Sequence, residues 1–199
     1  DVLVRVASVP PDPELGGDED LTTAEVRGGG LNNDGGASTV RDSDFATNDA
    51  VYGGAISNRL SAAELPGSLT IENGLFVSND GDHGGAVHSN AGPCSVTGAT
   101  FDANFATTEG GACHIRGTQL TLVDCTLRSN ATFVPAFEGG GALYADLDFI
   151  LIERCLFEEN TTGAEMEGGG AATIRGDGLC TIRAVSYTHL RAHETPLHL

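Results

Sequence analysis

A short phrase that recurs five times limits the fold of this chain more than any other feature of its sequence. In each copy an aromatic residue or a leucine stands three residues before an asparagine: FATN at Phe45, FVSN at Phe76, FDAN at Phe101, LRSN at Leu127 and FEEN at Phe157. A Gly-Gly-Ala follows each copy, beginning at Gly53, Gly84, Gly110, Gly140 and Gly169. The intervals of 31, 25, 26 and 30 residues are typical of stacked repeat proteins.

Aligning the copies places small or aliphatic residues in fixed columns. The column five residues before the aromatic residue contains Val40, Ile71, Val96, Leu122 and Ile152. The column directly after Gly-Gly-Ala contains Ile56, Val87, Cys113, Leu143 and Ala172. Polar and variable residues lie between such columns, as expected of strands with one buried face. Each repeat therefore carries three short strand signals, and no segment has the apolar stripe of a helix.

Three strands in every 25 to 31 residues predict an all-β fold, a right-handed single-stranded parallel β-helix (a solenoid) of about 5–6 coils. We expect each strand to pair with its equivalent in the next coil, about 4.8 Å away. Residues 38–184 are predicted to form the repeats. Residues 1–37 are predicted to form an N-terminal strand and loop, and whether they also begin a first coil stays open.

The repeated polar residues have structural interpretations in such a stack. Asparagine tolerates the left-handed backbone of turns, and stacked amides can hydrogen-bond from coil to coil. We therefore expect a structural ladder formed by Asn48, Asn79, Asn104, Asn130 and Asn160. The glycine pairs supply positive φ angles or allow close passage of the backbone.

The five cysteines contain no CxxC pair, and all fall in the inward columns of the alignment. We expect buried free thiols, with a Cys125–Cys155 disulfide between adjacent coils as the alternative. A structural zinc site is not expected at these cysteines, because four ligands would have to converge.

The paired FxxN and GGA[ILV] motifs resemble those of the polymorphic outer-membrane proteins of chlamydial type. The resemblance covers about Ser38 to Ile182, with departures at Leu127, Cys113 and Ala172. It implies a fragment of a secreted or cell-surface, outer-membrane-associated protein whose β-helix is an adhesive or structural scaffold. It also implies a host or cell-surface protein or a glycan as partner. The membrane barrel found at the C-terminal end of that family is absent from this sequence.

The charge of the chain argues against two classes of partner. The formal net charge is −18, and all ten basic residues are arginines. A nucleic-acid-binding protein needs a basic face, and an anionic membrane surface attracts basic segments. No apolar run reaches the roughly 18 residues that a transmembrane helix needs. We expect no nucleic-acid partner and no direct membrane insertion by this fragment.

Three residues after the glycine pairs are the best candidates for a ligand-binding surface. His88 and His114 share an alignment column, and Tyr144 continues it. We interpret the column as outward-facing, so that it either binds a metal or a sugar ring or is simply an exposed aromatic face. Calcium near Asp80 and Asp82, beside His83, is a weaker hypothesis, since calcium needs several oxygen ligands from one loop. No other cofactor and no metal site are expected.

Three functions remain open: an adhesive or structural scaffold, a polysaccharide lyase or glycoside hydrolase, and an inert surface stalk. Because β-helices also carry enzymes, Arg116, Asp146 and Arg175 are the residues to test for a catalytic groove. The same column suits cross-strand ion pairs. We favour the scaffold, assign no catalytic residue and expect no enzymatic activity.

The C-terminal residues are interpreted separately from the repeats. Val185–Thr195, VSYTHLRAHET, resembles the translation of a sequencing adapter. His198 and Leu199 fit its continuation after a short index that would encode Pro196 and Leu197. We therefore expect residues 185–199 to be a non-native, disordered segment, and the natural protein to be longer at both ends.

Overall fold

The structure, a computed structural model, describes residues 27–60, 67–133, 139–163 and 168–189. These residues form short β-strands and turns without a helix. Equivalent strands of successive coils pair in parallel, and the result is the predicted right-handed parallel β-helix of about five coils. The prediction of the fold class is confirmed. The part of the predicted N-terminal strand and loop that precedes Arg27 lies outside the described residues.

Four parallel sheets run along the stack, and we number them 1 to 4. Sheet 1 contains β1 (Leu31–Asp34), β5 (Ile56–Arg59), β9 (Val87–Ser89), β13 (Cys113–Arg116), β18 (Leu143–Asp146) and β23 (Ala172–Arg175). Sheet 2 contains β2 (Gly36–Arg41), β6 (Gly67–Glu72), β10 (Pro93–Thr97), β14 (Gln119–Val123), β19 (Phe149–Glu153) and β24 (Leu179–Arg183). Sheet 3 contains β3 (Asp44–Ala46), β7 (Leu75–Val77), β11 (Thr100–Asp102), β15 (Thr126–Arg128), β20 (Leu156–Glu158) and β25 (Ser186–Thr188).

Sheet 4 is the element that the sequence did not predict, because only three strands per coil were expected. It contains β4 (Asp49–Tyr52), β8 (Asp80–His83), β12 (Phe105–Glu109), β16 (Ala131–Thr132) and β21 (Thr161–Thr162). Two further pieces, β17 (Gly139–Gly140) and β22 (Gly168–Gly169), pair beside it. These strands directly follow the ladder asparagines, where the polar residues suggested a turn. They pair because the neighbouring coils already hold them at strand distance.

The core consists of columns of side chains that repeat at the same place in every coil. Phe45, Phe76 and Phe101 stack with ring centroids 5.1 and 4.7 Å apart. Leu127 and Phe157 continue this column and are fully buried. Burying each such side chain contributes about 2–3 kcal/mol. The aliphatic columns pair in register, as in Ile71, Val96 and Leu122.

The five ladder asparagines are buried and linked from coil to coil. Asn79 Nδ2 donates to Asn104 Oδ1 at 2.9 Å, and the Asn79 backbone N–H donates to the same oxygen at 3.0 Å. Asn79 Nδ2 also donates to the backbone oxygen of Phe45 at 3.0 Å. Equivalent hydrogen bonds of 2.7–3.0 Å between side-chain amides join Asn48 to Asn79, Asn104 to Asn130 and Asn130 to Asn160. The amides thereby satisfy the buried polar groups of this turn.

The left-handed residue of this turn is not the asparagine but the residue before it. Thr47, Ser78, Ala103, Ser129 and Glu159 have φ angles between 53° and 55°. A residue with a Cβ is strained in this region, typically by about 1–2 kcal/mol. The hydrogen bonds made by the side-chain amide of the following asparagine hold the turn in this conformation. The expectation of a left-handed asparagine is therefore wrong; it followed from the high frequency of such angles in asparagine among residues other than glycine.

The second glycine of each pair is required by contact between coils. A Cβ on Gly85 would lie 2.2 Å from the backbone oxygen of Gly111, and a Cβ on Gly111 would lie 2.1 Å from that of Gly141. Backbone atoms cannot move away from such a contact without breaking the strand pairing. Glycine at this position therefore allows neighbouring coils to approach at the turn between sheets 4 and 1.

All five cysteines are free thiols, and no Cys125–Cys155 disulfide is present. Cys94, Cys113, Cys125 and Cys155 are buried as predicted, and burial raises the pKa of Cys94 to about 12. Cys180 is exposed, although its column is inward, because no described coil lies beyond it. The buried thiols act as small apolar side chains.

Part of the segment expected to be disordered belongs to the stack. Ser186–Thr188 forms β25 and pairs with β20, and the Tyr187 ring stacks on Phe157 at 5.3 Å. The expectation of disorder is therefore wrong for these residues, because an aromatic residue falls in the phenylalanine column by position. Residues 190–199 lie outside the described residues. Among those described, no helix is long and apolar enough to cross a membrane.

We predict that removing one side-chain amide from the asparagine ladder lowers the free energy of unfolding substantially. Asn104→Ala leaves the Asn79 amide and the Phe76 backbone oxygen without their partner inside the stack. Each unsatisfied buried group costs about 1–3 kcal/mol, so we expect the free energy of unfolding to fall by roughly 2–5 kcal/mol. Urea denaturation followed by circular dichroism measures this change.

A surface variant in the same coil is the control. Asp102→Ala removes the ion pair between Asp102 Oδ2 and Arg128 Nη2, whose arginine side chain is 51% exposed. Exposed pairs contribute about 0–1 kcal/mol, so this variant should unfold close to the wild type. Equal losses for both variants would contradict a structural role for the ladder.

Candidate functional site

Two columns of side chains meet on the outside of the stack, where sheet 4 ends and sheet 1 begins. Tyr52, His83 and Glu109 are register partners at the end of sheet 4, each directly before a glycine pair. His88, His114 and Tyr144 are register partners in sheet 1. We call these six residues the histidine cluster: Tyr52, His83, His88, Glu109, His114 and Tyr144.

The structure brings together the three residues of the predicted ligand ladder, but it does not expose them. His88 and His114 are 2% exposed and Tyr144 is 0% exposed, so a surface ladder is the wrong description. These side chains alternate with inward residues such as Val87 and Cys113 and therefore lie on the face of sheet 1 away from the core. The side chains at the end of sheet 4 cover that face, and sheet 4 was not predicted.

The rings of the cluster are in mutual contact. His114 lies 5.0 Å from His88 and 5.0 Å from Tyr144, measured between ring centroids. His83 lies 5.3 Å from His114 and stacks on Tyr52 at 5.2 Å. Such distances are typical of packed aromatic pairs. A sugar ring therefore cannot stack on His114 without displacing its neighbours.

An irregularity in sheet 4 places Glu109 in the cluster. The pairing between β12 and β8 shifts between Ala106 and Glu109, which is a β-bulge. Asn104 and Gly110 are six residues apart in sequence, whereas Asn79 and Gly84 are five apart. The additional residue is absorbed at the bulge, so Glu109 lies opposite His83. Bulges commonly redirect a side chain in this way.

The Glu109 carboxylate lies between two imidazoles. Its Oε2 atom is 3.3 Å from His83 Nδ1 and 3.4 Å from His114 Nε2. His83 Nδ1 also lies 2.9 Å from the hydroxyl of Thr108. The three atoms Nδ1, Oε2 and Nε2 all lie within 4.8 Å of one another. The His83 and Glu109 side chains are 30% and 18% exposed, so this side of the cluster is open to solvent.

Several buried nitrogens of the cluster lack hydrogen-bond partners within the described part of the chain. Neither ring nitrogen of His114 has one, because the approach of Glu109 at 3.4 Å does not have hydrogen-bond geometry. His88 Nδ1 also has none. An unsatisfied buried polar group costs about 1–3 kcal/mol, and native proteins contain few of them. His114 thus has a lone pair available to a ligand.

Burial keeps these imidazoles neutral. It lowers the pKa of His88 to about 3, and the charges of His83, Arg27 and Arg116 act in the same direction. Burial likewise lowers the pKa of His114 well below its usual value, with the neighbouring histidines and Arg116 adding to the effect. Neutral imidazole is the form that binds metal ions.

The other predicted candidates lie apart from this arrangement. Asp82 Oδ1 accepts a hydrogen bond from the Thr107 hydroxyl at 2.6 Å. Burial and the nearby Asp49 raise the pKa of Asp80. Over the described ranges, the sole group of three convergent metal-ligand side chains is His83, Glu109 and His114. Asp80 and Asp82 are therefore not part of a group of three convergent His, Cys, Asp or Glu side chains among those residues.

The column tested for a catalytic groove is an exposed strand end. Arg116, Asp146 and Arg175 are register partners at the ends of β13, β18 and β23. Arg116 Nε lies 3.8 Å from Asp146 Oδ2, and the two side chains are 47% and 43% exposed. Arg116 also lies over the Tyr144 ring at 5.5 Å. This is the cross-strand ion-pair arrangement that was the alternative interpretation.

The sequence patterns did not lead us to expect His83 and Glu109 beside His114. A usable signal existed, because His83 and Glu109 both directly precede a glycine pair, as Tyr52 does.

Comparisons with protein-family models, curated proteins and solved structures give no match to this chain.

The low pKa of His88 predicts a pH-dependent stability. Its folded-state pKa of about 3 lies below the ordinary 6.5, so the unfolded chain binds more protons between these values. The contribution of neutral His88 to the free energy of unfolding is therefore fully present above about pH 6.5. It falls as the pH is lowered, by up to about 1.4 kcal/mol per pH unit. Urea unfolding between pH 7.5 and 4.5 in the presence of EDTA measures the slope.

The matched variant is His88→Phe, which keeps an aromatic ring but cannot be protonated. It should reduce the slope whatever its effect on absolute stability, because one buried titrating group is removed. An unchanged slope would contradict the assignment of acid sensitivity to His88.

Proposed function

We propose that this chain is part of a secreted or cell-surface β-helical scaffold that binds a host-cell or neighbouring surface protein or a glycan. The observation that carries this proposal is the unbroken register of the core columns through successive coils. The core uses only inward positions, so outside the histidine cluster the composition of the outer faces is not constrained by core packing. A repeat protein of this kind presents an extended surface for recognition.

Contacts on the outer surface indicate that the stack of coils is rigid. Ion pairs join neighbouring coils on it, with distances of 2.6 Å for Arg41–Glu72, Arg128–Asp102 and Arg154–Asp124. Each pair contributes little on its own. Together with the asparagine ladder they fix each coil relative to the next, which keeps outward side chains at constant spacing.

Sheet 2 carries two exposed apolar side chains in one column, and these favour binding. Phe149 and Leu179 are register partners, and they are 57% and 66% exposed. Gln119 precedes them in the same column. The stack does not need these side chains for its packing. An exposed aromatic residue beside polar ones is suited to contact with a sugar ring or a protein surface.

The charge of the chain restricts the partner further. A net charge of −18 favours basic or neutral surfaces and disfavours nucleic acid. The resemblance of the repeats to polymorphic outer-membrane proteins supports an extracellular, outer-membrane-associated location. The Arg116–Asp146 pair, with its partly exposed side chains, matches an ordinary cross-strand ion pair, and this supports a scaffold over a polysaccharide-cleaving enzyme.

Binding and cleavage are tested with the same preparation. We expect the fluorescently labelled chain to bind saturably to glycan arrays, extracellular-matrix proteins or cultured cells. We also expect it to release neither reducing ends nor unsaturated uronates from polysaccharides. Phe149→Ser with Leu179→Ser should weaken binding by about tenfold or more, as for interface anchors. Thr121→Ser, on the same face of sheet 2, is the matched control.

Three results would contradict this proposal in different ways. No saturable binding to any of these surfaces would leave an inert stalk. Binding that is insensitive to the Phe149 and Leu179 substitutions would place the contact elsewhere. Cleavage products that disappear in Arg116→Ala would establish the enzyme alternative.

A further inference from the structure

We propose that His83, Glu109 and His114 form a binding site for a zinc-type divalent metal ion. The site lies in the histidine cluster, on the opposite side of sheet 1 from the core. It is distinct from the sheet 2 surface of the proposed scaffold function. The site depends only on the geometry of three side chains, so it stands even if the adhesive role fails.

The spacing of the three ligand atoms suits a small ion. In a tetrahedral site with bond lengths of about 2.0–2.1 Å, ligand atoms are about 3.3–3.4 Å apart. Glu109 Oε2 already lies 3.3 Å from His83 Nδ1 and 3.4 Å from His114 Nε2. All three atoms fall within 4.8 Å of one another. A small movement of the more exposed His83 ring closes the arrangement.

A second observation points to a ligand at this place. His114 is 2% exposed, and neither of its ring nitrogens has a hydrogen-bond partner among the residues that the structure describes. Its Nε2 atom faces the Glu109 carboxylate without hydrogen-bond geometry. A metal ion between them would satisfy both groups at once. It would also take the place of the 2.9 Å contact between His83 Nδ1 and the Thr108 hydroxyl, which already donates to the Asp82 backbone oxygen.

The donor set selects the class of metal. Two imidazole nitrogens and one carboxylate oxygen suit zinc and similar first-row divalent ions. Calcium needs six to eight oxygen ligands, and this group supplies one carboxylate. The ligand atoms of His83 and Glu109 reach the solvent side of the cluster, so the fourth position is left for water or an external ligand. That arrangement is the open type of zinc site.

The fold places the ligands on rigid elements. His83 and Glu109 are register partners in β8 and β12, and His114 lies in β13 directly after the glycine pair. The bulge before Glu109 sets its position opposite His83. His88 and Tyr144 pack against the two sides of the His114 ring and fix its orientation. The site is therefore held by the same strand pairing that forms the stack.

Zinc titration of the whole chain tests the proposal. We expect the untagged, EDTA-treated protein to bind one equivalent of Zn²⁺ at the site by isothermal calorimetry, with a Kd of about micromolar or tighter. Co²⁺ should give the visible bands of a four-coordinate site. Glu109→Gln, which keeps the size of the side chain, should weaken this equivalent by at least about tenfold.

Matched variants separate the site from other histidines and from folding defects. Glu72→Gln removes an exposed carboxylate in sheet 2 and should bind zinc as the wild type does. His189, His193 and His198 are present in every variant, so their zinc binding cancels in the comparison. Circular dichroism in EDTA checks the fold of Glu109→Gln. His83→Gln, at a partly exposed position, provides the second test if Glu109→Gln unfolds.

The outcomes are exclusive. Loss of the tight equivalent in Glu109→Gln or His83→Gln, with retention in Glu72→Gln, supports the site. Equal zinc binding by all four proteins, or no binding tighter than about 100 µM, overturns it. Displacement of zinc by millimolar calcium would indicate an oxygen-ligand site and would also overturn it.

Discussion

Parallel pairing between equivalent strands of neighbouring coils is the constraint on which the whole structure depends. It fixes a spacing of about 4.8 Å between coils, so every residue sits directly above its equivalent. Phenylalanine is then stacked on phenylalanine, and the Asn79 amide lies within hydrogen-bond distance of Asn104. The same spacing leaves no room for a Cβ at Gly85. Core packing, polar ladder and glycine pairs are thus three consequences of one geometry.

The histidine cluster is a consequence of the same stacking on the other side of sheet 1. Register pairing aligns His88 with His114, and sheet 4 brings His83 and Glu109 over them. Four titratable groups are thereby concentrated in a place that is largely closed to water. Unsatisfied imidazole nitrogens there contrast with the fully bonded amides of the ladder. This contrast separates a group that holds the fold together from one that is suited to a ligand.

The regular stack suits the proposed scaffold, and the bulge before Glu109 suits the proposed metal site. The repeated coils give a rigid support on which outward residues such as Phe149 vary without disturbing the core. The bulge before Glu109 interrupts that regularity in one coil only, among the coils whose pairing is described. Bulges are common where a side chain must be redirected. The proposed adhesive surface and the proposed metal site therefore lie on different sheets and are separable by mutation.

The sequence by itself determined the type of fold, the coils and the inward columns, because a period of two and a fixed repeat length leave few alternatives. It also placed His88, His114 and Tyr144 in one column. Only the tertiary structure decided that this column is buried, since the covering residue His83 lies in a strand with no apolar alternation of its own. The convergence of Glu109 on both histidines depended on a bulge of one residue. The sequence shows that His83 and Glu109 each precede a glycine pair, but the contacts of their side chains with His114 arise between elements and are decided by the tertiary structure.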